Sequence, residues 1–194
     1  MKLVLTRGPF GADRPTGFAT VGPLPGPVPA LRRSGLRVIM LCRGYAADAF
    51  ADSPWLLGGV KTLAYAVNMA AQREAIRRGA DDCIFVSTDD IVLESPTSSV
   101  VWAVGRTLRT TPPGATGILA GTTQAMLFAR AARAGWRTEE LRADVSELHA
   151  ADVVWLVGSV RGPVDIVELD GRWRERRPDI DAEIRRLAGY PPAG

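Results

Sequence analysis

The order of apolar runs along the chain is the feature that most limits its fold. Short runs rich in β-branched residues predict buried strands, and turns and helical segments separate them without a regular strand-helix-strand alternation. The chain therefore predicts an α+β fold built around a barrel-like sheet. The predicted strands cover residues 3–6, 36–42, 83–87, 91–94 as hairpin partner of 83–87, 99–104, 153–157 and 164–169.

Helices are predicted where apolar residues recur at three- and four-residue spacing. The clearest begins at Thr62, runs to Arg78 and is closed by Gly79. Thr122 and Thr123 are expected to cap another helix. The predicted helices cover residues 62–78, 124–134, 145–150 and 179–188. Residues 8–29, rich in glycine and proline, predict a long, irregular and mobile loop.

Composition narrows the classes of function. The chain carries 24 cationic and 21 acidic residues, and without a concentrated basic face no nucleic-acid partner is expected. No segment has the length of a membrane span or a signal peptide, so a cytoplasmic protein without a membrane partner is expected. Cys42 and Cys83 lie in strand-like runs and are predicted to be reduced, buried thiols. His149 is the single histidine, so Cys and His residues cannot form a closed zinc site, and no metal is predicted.

Lysine occurs at two positions, Lys2 and Lys61, whereas every other basic residue is an arginine. Lys61 lies in the apolar, glycine-containing segment 56–65. Chemistry that needs an amine, which a guanidinium cannot replace, is one explanation for a lysine here. The alternative is a chance lysine whose alkyl chain lies along an apolar surface while its amine reaches water.

Three features of the sequence fit one cofactor. Lys61 follows a pair of glycines, Glu94 ends a strand-turn-strand segment, and residues 121–124 open a helix with free backbone amides. An amine, a carboxylate and a helix start are what a pyridoxal-phosphate site requires. They supply the Schiff-base partner, an anion beside the pyridine nitrogen, and a phosphate cradle.

Four blocks of sequence extend this match to a known family. They are residues 59–65 (GVKTLAY), Glu74-Ala75 with residues 79–82, Glu94, and residues 117–123 (GILAGTT). In this order they resemble the class IV (fold type IV) pyridoxal-phosphate enzymes, which include branched-chain aminotransferase, D-amino-acid aminotransferase and aminodeoxychorismate lyase. The resemblance runs from Leu3 to about Gly171. It implies that residues 1–194 are the C-terminal large domain, a mixed sheet flanked by helices, of a homodimeric enzyme. It also implies that the N-terminal small domain, which gives the phosphate an arginine, is absent.

The resemblance assigns roles to individual residues. Lys61 matches the Schiff-base lysine, Glu94 the carboxylate at the pyridine nitrogen, and Ser159 a hydroxyl at the phosphate. The further predicted cofactor-binding residues are Ser99, Gly121, Thr122 and Thr123. Ordinary alternatives are a solvated hairpin end for Glu94, plain helix caps for the threonines and a turn residue for Ser159. The sequence departs from the family pattern at Gln124, Val153 and Ser99, where arginine, glutamate and asparagine are frequent.

Within the family, residues 6–8, the loop carrying Arg14, and residues 158–164 are most similar to aminodeoxychorismate lyase. That enzyme releases pyruvate from 4-amino-4-deoxychorismate and leaves 4-aminobenzoate. The resemblance implies a small-molecule amino substrate bound by Arg14 and Arg161, with Lys61 moving protons. We expect burial among Leu56, Leu57 and Leu63 to keep the amine of Lys61 neutral. The alternatives are a D-amino-acid or branched-chain aminotransferase, and a catalytically incomplete fragment that serves as a folding or dimerisation unit.

Overall fold

The computed structural model describes residues 1–24 and 27–191, and within them it contains ten strands and five α-helices. The strands are Lys2–Thr6 (β1), Thr16–Thr20 (β2), Leu36–Cys42 (β3), Asp82–Val86 (β4), Ser99–Val104 (β5), Thr107–Thr110 (β6), Arg137–Glu140 (β7), Val153–Gly158 (β8), Gly162–Leu169 (β9) and Arg172–Trp173 (β10). The helices are Val28–Ser34 (α1), Ala66–Arg77 (α2), Thr122–Arg133 (α3), Val145–Ala150 (α4) and Pro178–Leu187 (α5), with a 3₁₀ turn at Pro54–Leu56.

Eight of the strands form one mixed sheet in the order β4-β3-β9-β8-β5-β6-β7, with β10 paired to β9. β3 is parallel to both β4 and β9, whereas β9, β8, β5 and β6 follow one another in antiparallel pairs. β1 and β2 form a separate antiparallel hairpin. The α+β class with a mixed sheet and helices around it is confirmed.

The sheet is buried on both faces, as β8 shows most clearly. Val154 and Leu156 belong to a core cluster that includes Leu148 of α4, whereas Trp155 belongs to a second cluster that includes residues of α3 and α5. Alternate side chains of a strand point to opposite faces, so β8 serves both clusters. A third cluster joins α2 to β4, mainly through Ala75 and Phe85. These layers hold the ends of β4, β5 and β8 in fixed positions.

The prediction of an irregular loop over residues 8–29 is wrong. β2 lies inside this segment and pairs with β1 from Thr6↔Thr16 to Lys2↔Thr20, and α1 begins at Val28. A strand of five residues that includes Gly17 gives a weak local signal, and a proline is tolerated in the first turn of a helix. Residues 25 and 26 of the predicted loop lie outside the described residues.

Two further strand predictions need correction. Residues 91–94 are not a strand, although Val92 forms an isolated antiparallel bridge with Val86 and the Phe85 amide donates to the Glu94 carbonyl at 2.8 Å. The short strands β6 and β7 were not predicted, because four residues carry little periodicity and β7 is a polar edge strand.

Both cysteines are free thiols, but only Cys83 is buried. The prediction of a buried Cys42 is wrong, because this residue ends β3 and is exposed. None of the helices in the described residues combines the length and apolar character needed to cross a membrane.

Candidate active site

A cleft of about 540 Å³ opens where several strand ends and loops of the large sheet meet. We name two of its sides. The lysine loop comprises residues 54–65, and the carboxylate wall comprises residues 94–99, 117–123 and 157–159. Seven residues predicted from the sequence line this cleft together: Lys61, Glu94, Ser99, Gly121, Thr122, Thr123 and Ser159.

Lys61 is an exposed residue of the lysine loop, five positions before α2 begins at Ala66. Its Nζ donates a hydrogen bond of 2.5 Å to Tyr65 Oη. The predictions that Lys61 leads directly into a helix and is buried among leucines are wrong. Leu56, Leu57 and Leu63 are 53%, 53% and 67% exposed, because the described residues provide no layer over this side of the loop.

Three glycines bring the lysine loop against the carboxylate wall. The Gly59 amide donates to the Gly117 carbonyl at 2.8 Å. A Cβ at Gly58 would lie 2.4 Å from the ring of Phe50, and one at Gly117 would lie 2.3 Å from the same ring. Both distances are far shorter than a van der Waals contact, so only glycine lets the two segments close on Phe50. This contact fixes the position of Lys61 relative to the carboxylate wall.

Glu94 is the acidic group of the carboxylate wall, and it is not a solvated hairpin end. Its Oε2 accepts a hydrogen bond of 3.1 Å from the Leu119 amide. Desolvation by burial raises the pKa of its carboxyl to about 7, against the opposing effects of the Leu119 hydrogen bond and the charges of Arg43 and Lys61. A carboxyl that titrates near neutrality can hold or release a proton beside a weakly basic ring nitrogen.

The start of α3 lies on the same wall. Gly121 is the N-cap, and no side chain caps this helix, so the prediction that Thr122 and Thr123 are caps is wrong. Both threonines belong to the first turn, where backbone amides have no acceptor within the helix. The first helical hydrogen bond runs from the Ala125 amide to the Gly121 carbonyl. The amides of the first turn and the hydroxyls of the threonines can therefore bind an anion.

Ser159 begins the turn 159–161 between β8 and β9 and lies at the rim of the cleft. Arg161 of the same turn does not line the cleft. Its guanidinium donates to the buried Asp82 carboxylate and to the hydroxyls of Thr97 and Ser98. Arg14 lies in the exposed connection between β1 and β2, also outside the cleft. The roles of Arg14 and Arg161 in substrate binding stay predictions.

Among the polar residues that line the cleft without a role predicted from the sequence are Arg43, Tyr45, Tyr65 and Asn68. Arg43 Nε donates to Tyr45 Oη at 3.0 Å, and its guanidinium lies 4.3 Å from the centre of the Phe85 ring. Asn68 Nδ2 donates to the Pro96 carbonyl at 2.7 Å and so ties α2 to the carboxylate wall. Arg43 directly follows β3, a position that could have marked it as a candidate.

The donor set fits a phosphorylated pyridine aldehyde. An exposed primary amine, a partly buried carboxyl with a raised pKa, and an uncapped helix start with two hydroxyls line one cleft. These groups can take an aldehyde, a ring nitrogen and a phosphate, respectively. Within the described residues, no group of three or more His, Cys, Asp and Glu side chains is placed to bind a metal ion.

Known proteins support the same conclusion. The family model described as amino-transferase class IV matches residues 1–169. A bifunctional aminodeoxychorismate lyase / D-amino acid transaminase from Mycobacterium tuberculosis is 42% identical over 192 residues, covering 95% of this chain and 66% of that protein. The chain thus spans slightly less than two thirds of the length of this relative.

Solved structures share the fold. Those of a hypothetical aminotransferase from Mycobacterium tuberculosis, one with PLP bound and one with α-ketoglutarate and PMP, have a TM-score of 0.91 at 42% identity and cover 96% of this chain and 66% of theirs. A fold IV-transaminase from Curtobacterium pusillum has a TM-score of 0.83 at 43% identity, with coverages of 96% and 62%. The barrel-like mixed sheet and the family recognised from the sequence are confirmed. This chain belongs to the amino-transferase class IV family.

Proposed function

We propose that this chain binds pyridoxal phosphate and that Lys61 Nζ is the amine that attaches covalently to the cofactor aldehyde. One observation carries the proposal: Lys61, Glu94 and the start of α3 line a single cleft although they are distant in sequence. An amine that forms a covalent bond must be accessible, and Lys61 is exposed. The family assignment and the PLP-bound structural relative support the choice of cofactor.

When bound, pyridoxal phosphate supplies an aldehyde and an electron-withdrawing ring that stabilises negative charge on a substrate carbon. Glu94 lines the cleft, and its carboxylate would favour a proton at the ring nitrogen by electrostatic attraction. The first turn of α3 and Ser159 have the donors to bind the phosphate. Ser99 lines the same wall and packs against Gly121, where a Cβ would lie 2.3 Å from Ser99 Oγ.

Tyr65 orients the amine of Lys61. Its Oη accepts the Lys61 Nζ hydrogen bond at 2.5 Å and also lines the cleft. When it is not bonded to the cofactor, Lys61 Nζ would be the basic group placed to carry protons to and from the substrate. Tyr65 then keeps that amine near the reacting carbon rather than in bulk water.

The reaction we propose is the lyase reaction that converts 4-amino-4-deoxychorismate to 4-aminobenzoate and pyruvate. The resemblance of residues 6–8 and 158–164 to aminodeoxychorismate lyase and the name of the 42% identical relative support it. The same name includes D-amino acid transaminase, and a structural relative contains PMP with α-ketoglutarate. Transamination of a D-amino acid is therefore the second candidate.

One experiment separates the two reactions. The purified protein is loaded with pyridoxal phosphate and incubated with 4-amino-4-deoxychorismate, or with D-alanine and 2-oxoglutarate. Lyase chemistry gives pyruvate and 4-aminobenzoate without accumulating PMP, and Lys61→Ala gives neither product. Stoichiometric conversion of the cofactor to PMP by D-alanine, with no pyruvate from the first substrate, would refute the lyase proposal. A protein that shows no absorbance of lysine-bound cofactor would instead be a cofactor-free folding or dimerisation unit.

We further propose that residues 1–194 form a single cofactor-binding domain of a cytoplasmic homodimer. The support for an interface is the exposed apolar surface of the lysine loop and α2, where Trp55, Val60 and Val67 are 73%, 55% and 56% exposed. Contiguous apolar surface of this kind usually contacts another protein surface. Light scattering at high protein concentration tests the dimer, and a clean monomer would contradict it.

A further inference from the structure

Two side chains that do not line the cleft hold the turn 159–161 by its carbonyl groups. Tyr190 Oη donates to the Ser159 carbonyl at 2.8 Å. Arg32 of α1 donates from Nη2 to the Val160 carbonyl at 2.9 Å and from Nε to the Arg161 carbonyl at 2.8 Å. All three carbonyls of the turn thus have a donor from outside the cleft. The two donors come from opposite ends of the chain.

The two donors are themselves fixed. The Arg32 guanidinium lies 5.7 Å from the centre of the Tyr190 ring, a cation-π distance. The Tyr190 ring packs on Gly162, where a Cβ would lie 2.7 Å from it. Behind them, the buried Arg185 donates to the Pro191 carbonyl at 3.1 Å and to the Pro163 carbonyl at 2.7 Å. Residues 185–191 are therefore held against the β8–β9 turn.

Anchoring the carbonyls also fixes the amides of the turn. A trans peptide unit is planar, and its N–H points opposite to its C=O. The N–H groups of Val160 and Arg161 therefore point away from Tyr190 and Arg32. Neither N–H has a protein acceptor among residues 1–24 and 27–191. Of the three residues of the turn, Ser159 lines the cleft, so holding the peptide units of the turn also holds the Ser159 hydroxyl at the cleft.

We infer that Arg32 and Tyr190 are positioning residues for the cofactor phosphate. They orient the 159–161 turn so that Ser159, the residue of the turn that lines the cleft, faces the anion. The inference rests on the proposed function, because it takes the phosphate of pyridoxal phosphate as the ligand of this turn. Neither residue touches the cofactor, so both act through the orientation of the peptide units. Because the hydrogen bonds from Arg32 and Tyr190 hold the turn before the ligand binds, less conformational entropy is lost on binding.

The test compares two ligands that differ only in the phosphate. Pyridoxal phosphate and pyridoxal are each titrated against the purified full chain and its Arg32→Gln and Tyr190→Phe variants. Arg33→Gln, at the next and exposed residue of α1, is the matched control for the loss of charge. We expect Arg32→Gln to weaken pyridoxal-phosphate binding about tenfold and Tyr190→Phe about threefold. Pyridoxal affinity stays unchanged in both variants.

A purely structural role would lower the melting temperature and weaken both ligands by the same factor, which would overturn the inference. Tyr190→Phe keeps the ring on Gly162, so it stays informative even where Arg32→Gln fails to fold. The proposed function is tested separately by cofactor binding and borohydride trapping at Lys61 in the unchanged protein. Trapping at Lys61 with an unaltered ratio of the two affinities in the variants would refute the positioning role alone.

Discussion

The lysine loop and the carboxylate wall face one cleft, but the fold holds them differently. In the carboxylate wall, residues 94–99 lead into β5 and residues 157–159 end β8, and Ser95, Ser98 and Ser99 are buried. In the lysine loop, every residue from 54 to 65 is exposed or only partly buried. The comparison shows that the amine lies where substitution costs little folding energy, whereas the residues opposite serve both the site and the core. Substitutions on the two sides should therefore separate function from stability.

The largest effect is expected on the lysine side. Lys61→Ala should abolish borohydride-trappable cofactor and turnover, because no other side chain that lines the cleft has a primary amine. The melting temperature should stay near that of the unchanged protein, since Lys61 is exposed. Mass spectrometry of the reduced protein locates the adduct. Lys2→Ala, which alters the other lysine, is the control, and an adduct at Lys2 would refute the assignment.

On the carboxylate wall, Glu94 should make stability depend on pH. Its folded pKa of about 7 lies above the ordinary 4.5, so its contribution is complete below pH 4.5 and is lost as the pH rises through 7. The difference corresponds to about 3 kcal/mol of unfolding free energy. Denaturant unfolding of the cofactor-free chain across this pH range measures the loss.

Glu94→Gln is the matched control for this pH dependence, since its amide keeps a carbonyl acceptor for the Leu119 amide and does not titrate. The variant should unfold with a flatter pH profile and should also turn over more slowly, because it cannot hold a proton at the ring nitrogen. An unchanged profile together with unchanged turnover would remove Glu94 from the site.

An intermediate effect is expected where the wall is tightly packed. In Gly121→Ala the new methyl group would lie 2.3 Å from Ser99 Oγ, so overpacking should cost about 1–3 kcal/mol of stability. Adding Ser99→Ala should restore most of the lost stability, because the Cβ of residue 99 lies 3.6 Å from the new methyl group. A double-mutant cycle of unfolding free energies measures the coupling. Additive effects would show that Ser99 and Gly121 do not pack together.

The smallest effect should be found at an exposed leucine of the lysine loop. Leu63→Ala, at a residue that is 67% exposed, should change the unfolding free energy by less than about 0.5 kcal/mol. Leu93→Ala, next to Glu94 and 1% exposed, is the buried counterpart and should cost about 2–5 kcal/mol. Equal losses of unfolding free energy in the two variants would mean that the lysine loop is buried in solution. The contrast between the two sides of the cleft would then be wrong.

The parts of the fold that sequence could predict are those with strong local signals. The apolar runs of β3, β5 and β9 and the helix Val145–Ala150 were placed within about two residues. Asp144 caps that helix, accepting from the amides of Ser146 and Glu147, which is a local device. The β1–β2 hairpin and β7 were not predictable, because their pairing depends on the partner strands rather than on apolar periodicity.

The candidate site was predictable because Lys61 is a charged residue in an apolar segment and Glu94 ends an apolar strand-like run. What sequence could not supply is the environment of each group. Lys61 was expected in a buried position because its neighbours are apolar, but an apolar segment is buried only where another layer covers it. The ion pair between Arg161 and Asp82, which lies 79 positions earlier in the chain, was not predictable either. Such pairings depend on the arrangement of the strands in the sheet and leave no local pattern.

The position of β3 between β4 and β9 has a consequence for the synthesis of the protein. β3 pairs with β9 through Leu36↔Ile166, and Arg32 reaches a carbonyl 129 positions later. Contacts between such distant residues form slowly. On the ribosome, α1 emerges long before the turn 159–161, and β3 emerges long before β9. The edge of β3 that pairs with β9 needs protection until β9 has been synthesised. Lys61 and Glu94 also emerge early, whereas the turn 159–161 and Tyr190 emerge much later. Cofactor capture would then require that synthesis has passed Tyr190.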